Sequence, residues 1–360
     1  MRAGNKLLTL LLVCMLLCSG CAGNNGKTEP SETSDKQSVS DRAVTTESRE
    51  LFAMDTVMMI RATGVDAKAA VDEAAAEIER LDALLSVGSE ESEVTKLNRN
   101  GGGVMSEDVK YLTERSLEIY DSTGGAYDIT IYPLMELWGF TGDHPAVPDA
   151  KEIERVISES GSDKLKINGN TLTLGAEQGI DFGGIAKGYA SSRIMEIFEK
   201  KGMISGLVSL GGNVHCFRTK EDGSAWKCGV TDPEHPDDNR YLLGILHCSD
   251  QAVITSGGYE RYFQDESGKT YHHIMDPKTG YPAKSGLTSV TIVSKDGTLA
   301  DALSTACFVS GEQKAAAYWR SHRDEFDMIL QTDDGRLLVS EGISDAFESD
   351  RSYQVISFEG

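Results

Sequence analysis

Between Asp66 and Ser86 the apolar residues Val71, Ala74, Ile78, Leu81 and Leu85 recur three and four apart, which predicts a helix with one buried face. A second helix is predicted from Glu107, with Ser106 as its N-cap, to the Gly124-Gly125 pair that stops it. Phe52–Ile60 alternates loosely and reads as one strand. Short apolar runs at Thr171–Leu174, Gly206–Leu210, Tyr241–His247, Ala252–Thr255, Leu287–Ser294, Met328–Gln331 and Leu337–Ser340 read as further strands. Helices are expected after Gly188 and after Leu299. Strands joined by polar turns outnumber βαβ patterns, so the fold class is α+β, with a mixed or largely antiparallel sheet and flanking helices. With no internal repeat and no second linker, residues 51–360 read as one domain, compact or bilobed.

The first fifty residues depart from this pattern. Arg2 and Lys6 precede the apolar run Leu7–Leu17, and Cys18-Ser19-Gly20-Cys21 follows. Small residues before a cysteine resemble the bacterial lipobox, so residues 1–20 read as a lipoprotein signal and Cys21 as the lipidated residue. An ordinary cleaved signal or an uncleaved anchor is the alternative. Residues 22–50 hold no aromatic, Leu, Ile or Met, so residues 21–50 read as a disordered tether. The expected location is outside the cell, lipid-anchored to the outer face of the cytoplasmic membrane.

Charge narrows the partners. The chain has 35 Lys+Arg against 57 Asp+Glu, a net charge of −22, which disfavours nonspecific nucleic-acid binding. Loss of residues 1–20 removes two cations and no acid, and so deepens the deficit. Of the seven cysteines, Cys216, Cys228, Cys248 and Cys307 lie in the expected domain. None falls in a CxxC, and no nearby histidine completes a usual zinc spacing. Buried thiols are the favoured reading, and a Cys216–Cys228 disulfide stays open for an exported chain.

There is no HExxH, GxSxG, Walker A or GxGxxG motif. Three segments carry chemistry instead. In Ile180–Ala190, Gly183-Gly184 precedes a helix start and Lys187, a pattern that lets backbone amides and a cation approach a phosphate. A plain strand-to-helix turn with a solvated lysine fits equally. In Ala300–Ala306, Asp301 and Thr305 stand at i and i+4 and offer hard oxygens suited to Mg²⁺. The alternative makes Asp301 an N-cap, with Thr305 turned inward. In Tyr271–Pro282, alternation turns His272 and His273 to opposite sides. His272 reads as a surface residue, and His273 reads equally as a proton-transfer group or a structural one.

These segments occur in this order, together with Ser209-Leu210-Gly211-Gly212-Asn213 and Gly124-Gly125-Ala126-Tyr127-Asp128. Jointly they resemble the ApbE family of FAD:protein FMN transferases, from about Met54 to beyond Thr305. The resemblance implies transfer of FMN from FAD, the substrate, to a Thr or Ser hydroxyl of an acceptor flavoprotein, with release of AMP. Implied acceptors are exported or membrane subunits of the Rnf or sodium-pumping NADH:quinone oxidoreductase type. It further implies Mg²⁺ held by Asp301, Thr305 and the main chain of Gly184. FAD would be contacted by Met54, Ala126, Tyr127, Asp128, Asp181, Lys187 and Ile274, with His273 and Asp301 in catalysis. Asp55 stands where the family's Met-Gly-Thr motif has glycine, and Ser192 where many members have Asp. Gly88 aligns near the flavin nucleotide, where others carry Tyr or Asn. The same residues would serve an FAD pyrophosphatase or a non-catalytic flavin-binding lipoprotein.

Overall fold

The computed structural model describes residues 43–142, 144–238 and 240–359. Its main sheet has nine strands: β1 (Thr45–Ala53), β2 (Thr56–Gly64), β3 (Ser205–Leu210), β4 (Asn213–Phe217), β5 (Ala252–Gly257), β6 (Leu287–Ser294), β7 (Phe326–Thr332), β8 (Leu337–Ser340) and β9 (Gln354–Ile356). Their order across the sheet is their order along the chain. Neighbours are antiparallel except β8 and β9, which run parallel. The sheet is therefore mixed and largely antiparallel.

Period-two alternation explains why the central strands read as nearly continuous apolar runs. Ala252, Ile254, Val290, Ile292, Met328 and Leu330 join a core shared with helices, whereas Val253, Val293 and Ile329 join a second core on the opposite face. The helices of the first core include α1 (Ala67–Leu85), α2 (Glu107–Ser122), α3 (Ala186–Lys200) and α4 (Gly297–Ser310). On α1, Val71, Ile78, Leu81 and Leu85 are buried as their spacing predicts, each contributing about 1.5–3 kcal/mol of transfer free energy. Ser106 caps α2 by accepting from the Val109 N–H. The second core lies between the main sheet and a small sheet of Trp226–Thr231, Leu242–Cys248 and Phe347–Glu348. A third, smaller cluster gathers Leu134, Met135, Trp138, Phe140, Ile153, Val156, Tyr271 and Met275.

Two expectations change. Phe52–Ile60 is a hairpin, not one strand: Ala53 pairs with Thr56 across a turn in which Met54 and Asp55 have φ of 46° and 60°. No glycine or proline marks that turn, so the alternation runs through it unbroken. The sheet also begins at Thr45, inside the segment read as a tether. Most β1 side chains are exposed, so the strand gains its order from backbone pairing with β2, which composition does not reveal. Residues 1–42, including Cys21, lie outside the described residues.

Candidate functional site

A cavity of about 940 Å³ forms where the β1–β2 and β3–β4 turns meet α3, α4 and the third cluster, a size suited to a large small-molecule ligand. Its innermost wall is set by a close approach of α3 and α4. A Cβ on Gly188 would lie 2.1 Å from the Gly297 carbonyl oxygen and 2.6 Å from Asp301 Cβ, so only glycine permits this spacing. The approach lets the Gly188 N–H donate to Asp301 Oδ2 at 2.8 Å, and Asn213 Nδ2 donates to Oδ1 at 3.2 Å. Asn213 is delivered by the β3–β4 turn, where Gly211 and Gly212 both have positive φ.

Asp301 is buried inside α4, and Asp296 is the N-cap, accepting from the Leu299 N–H. The N-cap alternative for Asp301 is thus removed. Burial pushes the Asp301 carboxyl up, and the Lys187 charge opposes this. Among the described residues no Lys, Arg or His forms an ion pair with it. Thr305, one turn on, has Oγ1 3.4 Å from Ser256 Oγ, which is 2.7 Å from Ser304 Oγ. A Cβ on Gly184 would sit 3.6 Å from Thr305 Oγ1, so the Gly184 backbone passes close by. A buried carboxylate without an ion-pair partner, with the Thr305 hydroxyl one helical turn on, fits a hard divalent cation.

Lys187, half-buried in the first turn of α3, borders the same cavity. Asp181 Oδ1 accepts from the Gly183 N–H at 2.8 Å and so shapes the glycine turn. Burial pushes the Asp181 carboxyl up, against the charges of Arg261 and Lys187. Asp128 borders the cavity too, but its Oδ1 accepts from Thr130 N and Oγ1 and from Ser162 Oγ. That oxygen holds its own loop. Tyr127 is buried with no hydrogen-bond partner for its hydroxyl among the described residues, and burial pushes it up. Ala126, Ile274 and Met54 supply apolar lining. Gly88 also borders the cavity, and a Cβ there would meet nothing closer than Ser86 Oγ at 3.7 Å.

His273 lines the same cavity, just beyond the hairpin of Tyr262–Gln264 and Thr270–His272. Its Nδ1 is 3.1 Å from the Arg261 carbonyl oxygen, and its ring meets Phe140 edge-on at 6.5 Å. Burial, then the Arg261 guanidinium, push this imidazole down to about 3. A carbonyl oxygen can only accept, so the neutral ring carries its proton on Nδ1 and leaves a lone pair on Nε2. His272 is not a surface residue: Nε2 meets the Ala283 carbonyl oxygen at 3.1 Å and the ring packs edge-on against Phe308.

All twelve residues singled out from sequence in the described region line this one cavity. Asn213, Ser256, Glu260 and Arg261 line it as well, without having been assigned roles. Glu260 stands at the rim, where crowding by protein pushes its carboxyl up to about 7. Arg261 fixes the lobe by donating to the Phe140 carbonyl at 2.5 Å and accepting from His273. The Ser256-Gly257-Gly258 run was the one local sign of this strand end. Cys216 and Cys228 are free thiols with Sγ atoms 3.7 Å apart, so the disulfide is not formed.

Comparison with known proteins matches residues 54–330 to the ApbE family. An FAD:protein FMN transferase of Klebsiella pneumoniae (strain 342) is 33% identical over 288 residues, covering 78% of this chain and 87% of the relative. One from Treponema pallidum is 31% identical over 296 residues, covering 77% and 81%. The crystal structure of an ApbE protein from Thermotoga maritima superposes with a TM-score of 0.78 at 31% identity, covering 86% of this chain and all of that one. The apo flavinyl transferase ApbE of Pseudomonas stutzeri gives 0.75 at 27%, covering 86% and 98%.

Proposed function

Because the chain belongs to the ApbE family, a family of flavin transferases, we propose that it moves the FMN part of FAD onto a Thr or Ser hydroxyl of an acceptor flavoprotein and releases AMP. One pairing supports this most: a buried all-oxygen site at Asp301 shares a cavity with a neutral histidine whose Nδ1 is committed to a carbonyl. Mg²⁺ held by Asp301, Thr305 and the Gly184 backbone would neutralise charge on the nonbridging phosphate oxygens.

The chain's own groups do the rest. Lys187 and the turn at Gly183-Gly184 draw the pyrophosphate toward Asp301. The acceptor hydroxyl attacks the FMN phosphorus as its proton passes to His273 Nε2. The new bond is P–O to the acceptor, the broken one is P–O of the pyrophosphate, and AMP leaves with the electron pair. Arg261 keeps the imidazole tautomer correct by accepting at its carbonyl. Met54, Ala126 and Ile274 exclude water from the flavin side. For the acceptor we propose an exported or membrane flavoprotein of the Rnf or sodium-pumping NADH:quinone oxidoreductase type, met by an enzyme exported through residues 1–20 and anchored at Cys21.

The test uses the full chain, because removal of residues before Leu51 would strip most of β1 from the sheet edge. FAD, Mg²⁺ and a peptide bearing an Asp-Gly-x-[Ser/Thr]-Gly-Ala-Thr segment are incubated together, with EDTA and Asp301→Ala as controls. Metal-dependent AMP release with FMN mass on the peptide is the expected result. AMP with free FMN and an unmodified peptide would redefine the protein as an FAD pyrophosphatase. Intact FAD with folded protein would leave a flavin-binding lipoprotein.

A further inference from the structure

Three cysteines separated in sequence meet in the second core. Cys216 lies on β4, while Cys228 and Cys248 lie on the two long strands of the small sheet. Cys228 pairs with Leu246 and Cys248 with Trp226, so these two thiols are diagonal neighbours on one sheet face. Cys216 reaches them from the main sheet opposite. The Sγ separations are 3.7 Å (Cys216–Cys228), 3.5 Å (Cys216–Cys248) and 3.3 Å (Cys228–Cys248), and all three residues are at least 96% buried.

A disulfide would draw one pair together and leave the third thiol apart; this triangle is close to equilateral. Sulfurs bound about 2.3 Å from a tetrahedral zinc stand roughly 3.8 Å from one another, so a small outward shift of each Sγ would seat an ion. We propose that Cys216, Cys228 and Cys248 form a three-sulfur site for one thiophilic d¹⁰ cation, Zn²⁺ or Cu⁺. Cys228 also borders the large cavity, which supplies an entry path and, for Zn²⁺, room for water as a fourth ligand. Binding replaces three S–H bonds by three metal–sulfur bonds and releases three protons to solvent. It ties β4 to the small sheet. The Asp301 site, all oxygen, selects hard cations, so the two sites sort metals by donor type.

The test uses the full chain with Cys14, Cys18 and Cys21 changed to Ser, reduced and then freed of reductant without oxygen. Zn²⁺, Cu⁺ and Mg²⁺ are added in separate arms against a chromophoric chelator. One Zn²⁺ or Cu⁺ per chain is expected, with three protons released per ion bound, a raised Tm, and no such effect from Mg²⁺. Cys307→Ser should bind as before, and Cys228→Ser should lose the ion. Failure of the reduced protein to bind either ion overturns the proposal. So does undiminished binding by Cys228→Ser, or a mass two hydrogens short in protein isolated without reductant, which would mean a disulfide. Stoichiometry and proton release need no core variant to fold, and neither reads flavin transfer.

Discussion

Asp301 and His273 face one cavity from walls of unlike construction. Asp301 stands on α4, pressed against α3 glycine to glycine and continuous with the main core. His273 belongs to a small lobe organised around Trp138, whose Nε1 donates to the Gly280 carbonyl at 2.9 Å. In the proposed reaction the first wall would hold groups that meet several phosphate charges, where a small displacement weakens every electrostatic contact. In the proposed reaction the second would admit a segment of the acceptor, and a small core opens at lower free-energy cost. The contrast teaches that the carboxylate rests on a wall continuous with the main core, whereas the histidine rests on a small satellite core.

Gly188→Ala is the harshest test of the rigid wall. In an ordinary helix the change would stabilise by about 1 kcal/mol; here the methyl collides with the Gly297 carbonyl, so a loss of about 3 kcal/mol or more is expected. Urea unfolding measures it, and an unchanged midpoint would show that this wall yields. Next comes the proposed base. His273→Gln should lower transfer about 10²–10⁴-fold while leaving the unfolding midpoint near wild type.

The pH dependence of kcat/KM for FAD sharpens this. With His273 pushed down to about 3, its protonation removes the base only well below the usual imidazole range, so its acid limb is displaced downward. The unfolded chain takes up that proton first, near 6.5, so stability from this residue is present above 6.5 and lost as pH falls toward 3. Glu260, pushed up to about 7, titrates at higher pH, so the profile is compared in Glu260→Gln. A limb at 6.5 that survives there would contradict the half-buried, neutral imidazole.

Trp138→Phe leaves the Gly280 carbonyl unpaired and should cost about 1–2 kcal/mol. Hydrogen exchange should quicken in the lobe while α3 and α4 keep their protection; quickening in α4 as well would mean the walls are not independent. The mildest change is Gly88→Tyr. Open space around Gly88 predicts a stability change within about 0.5 kcal/mol. Stacking worth about 0.5–1.5 kcal/mol should tighten FAD binding, which calorimetry would record.

Local features were legible because they depend on neighbours in the chain. The α1 stripe, the Ser106 cap, the glycine stop after α2 and the shared face of Asp301 and Thr305 all follow from helical periodicity and capping chemistry. The Asp55 turn was not legible as a turn, yet its φ of 60° suits Asp, a residue tolerant of left-handed backbone. The ordered start at Thr45 escaped notice because backbone pairing leaves no mark on composition.

By itself the sequence determined the α+β class, the motif order and the residue types able to handle phosphate and hydroxyl. Only the tertiary structure decided that Asn213 and Gly188 hold Asp301, that the Arg261 carbonyl sets the His273 tautomer, and that three separated cysteines share one pocket. Periodicity states which face of an element is buried. Which face it meets depends on the packing of the whole chain, where contacts such as Gly188–Asp301 join residues that sequence spacing leaves unrelated.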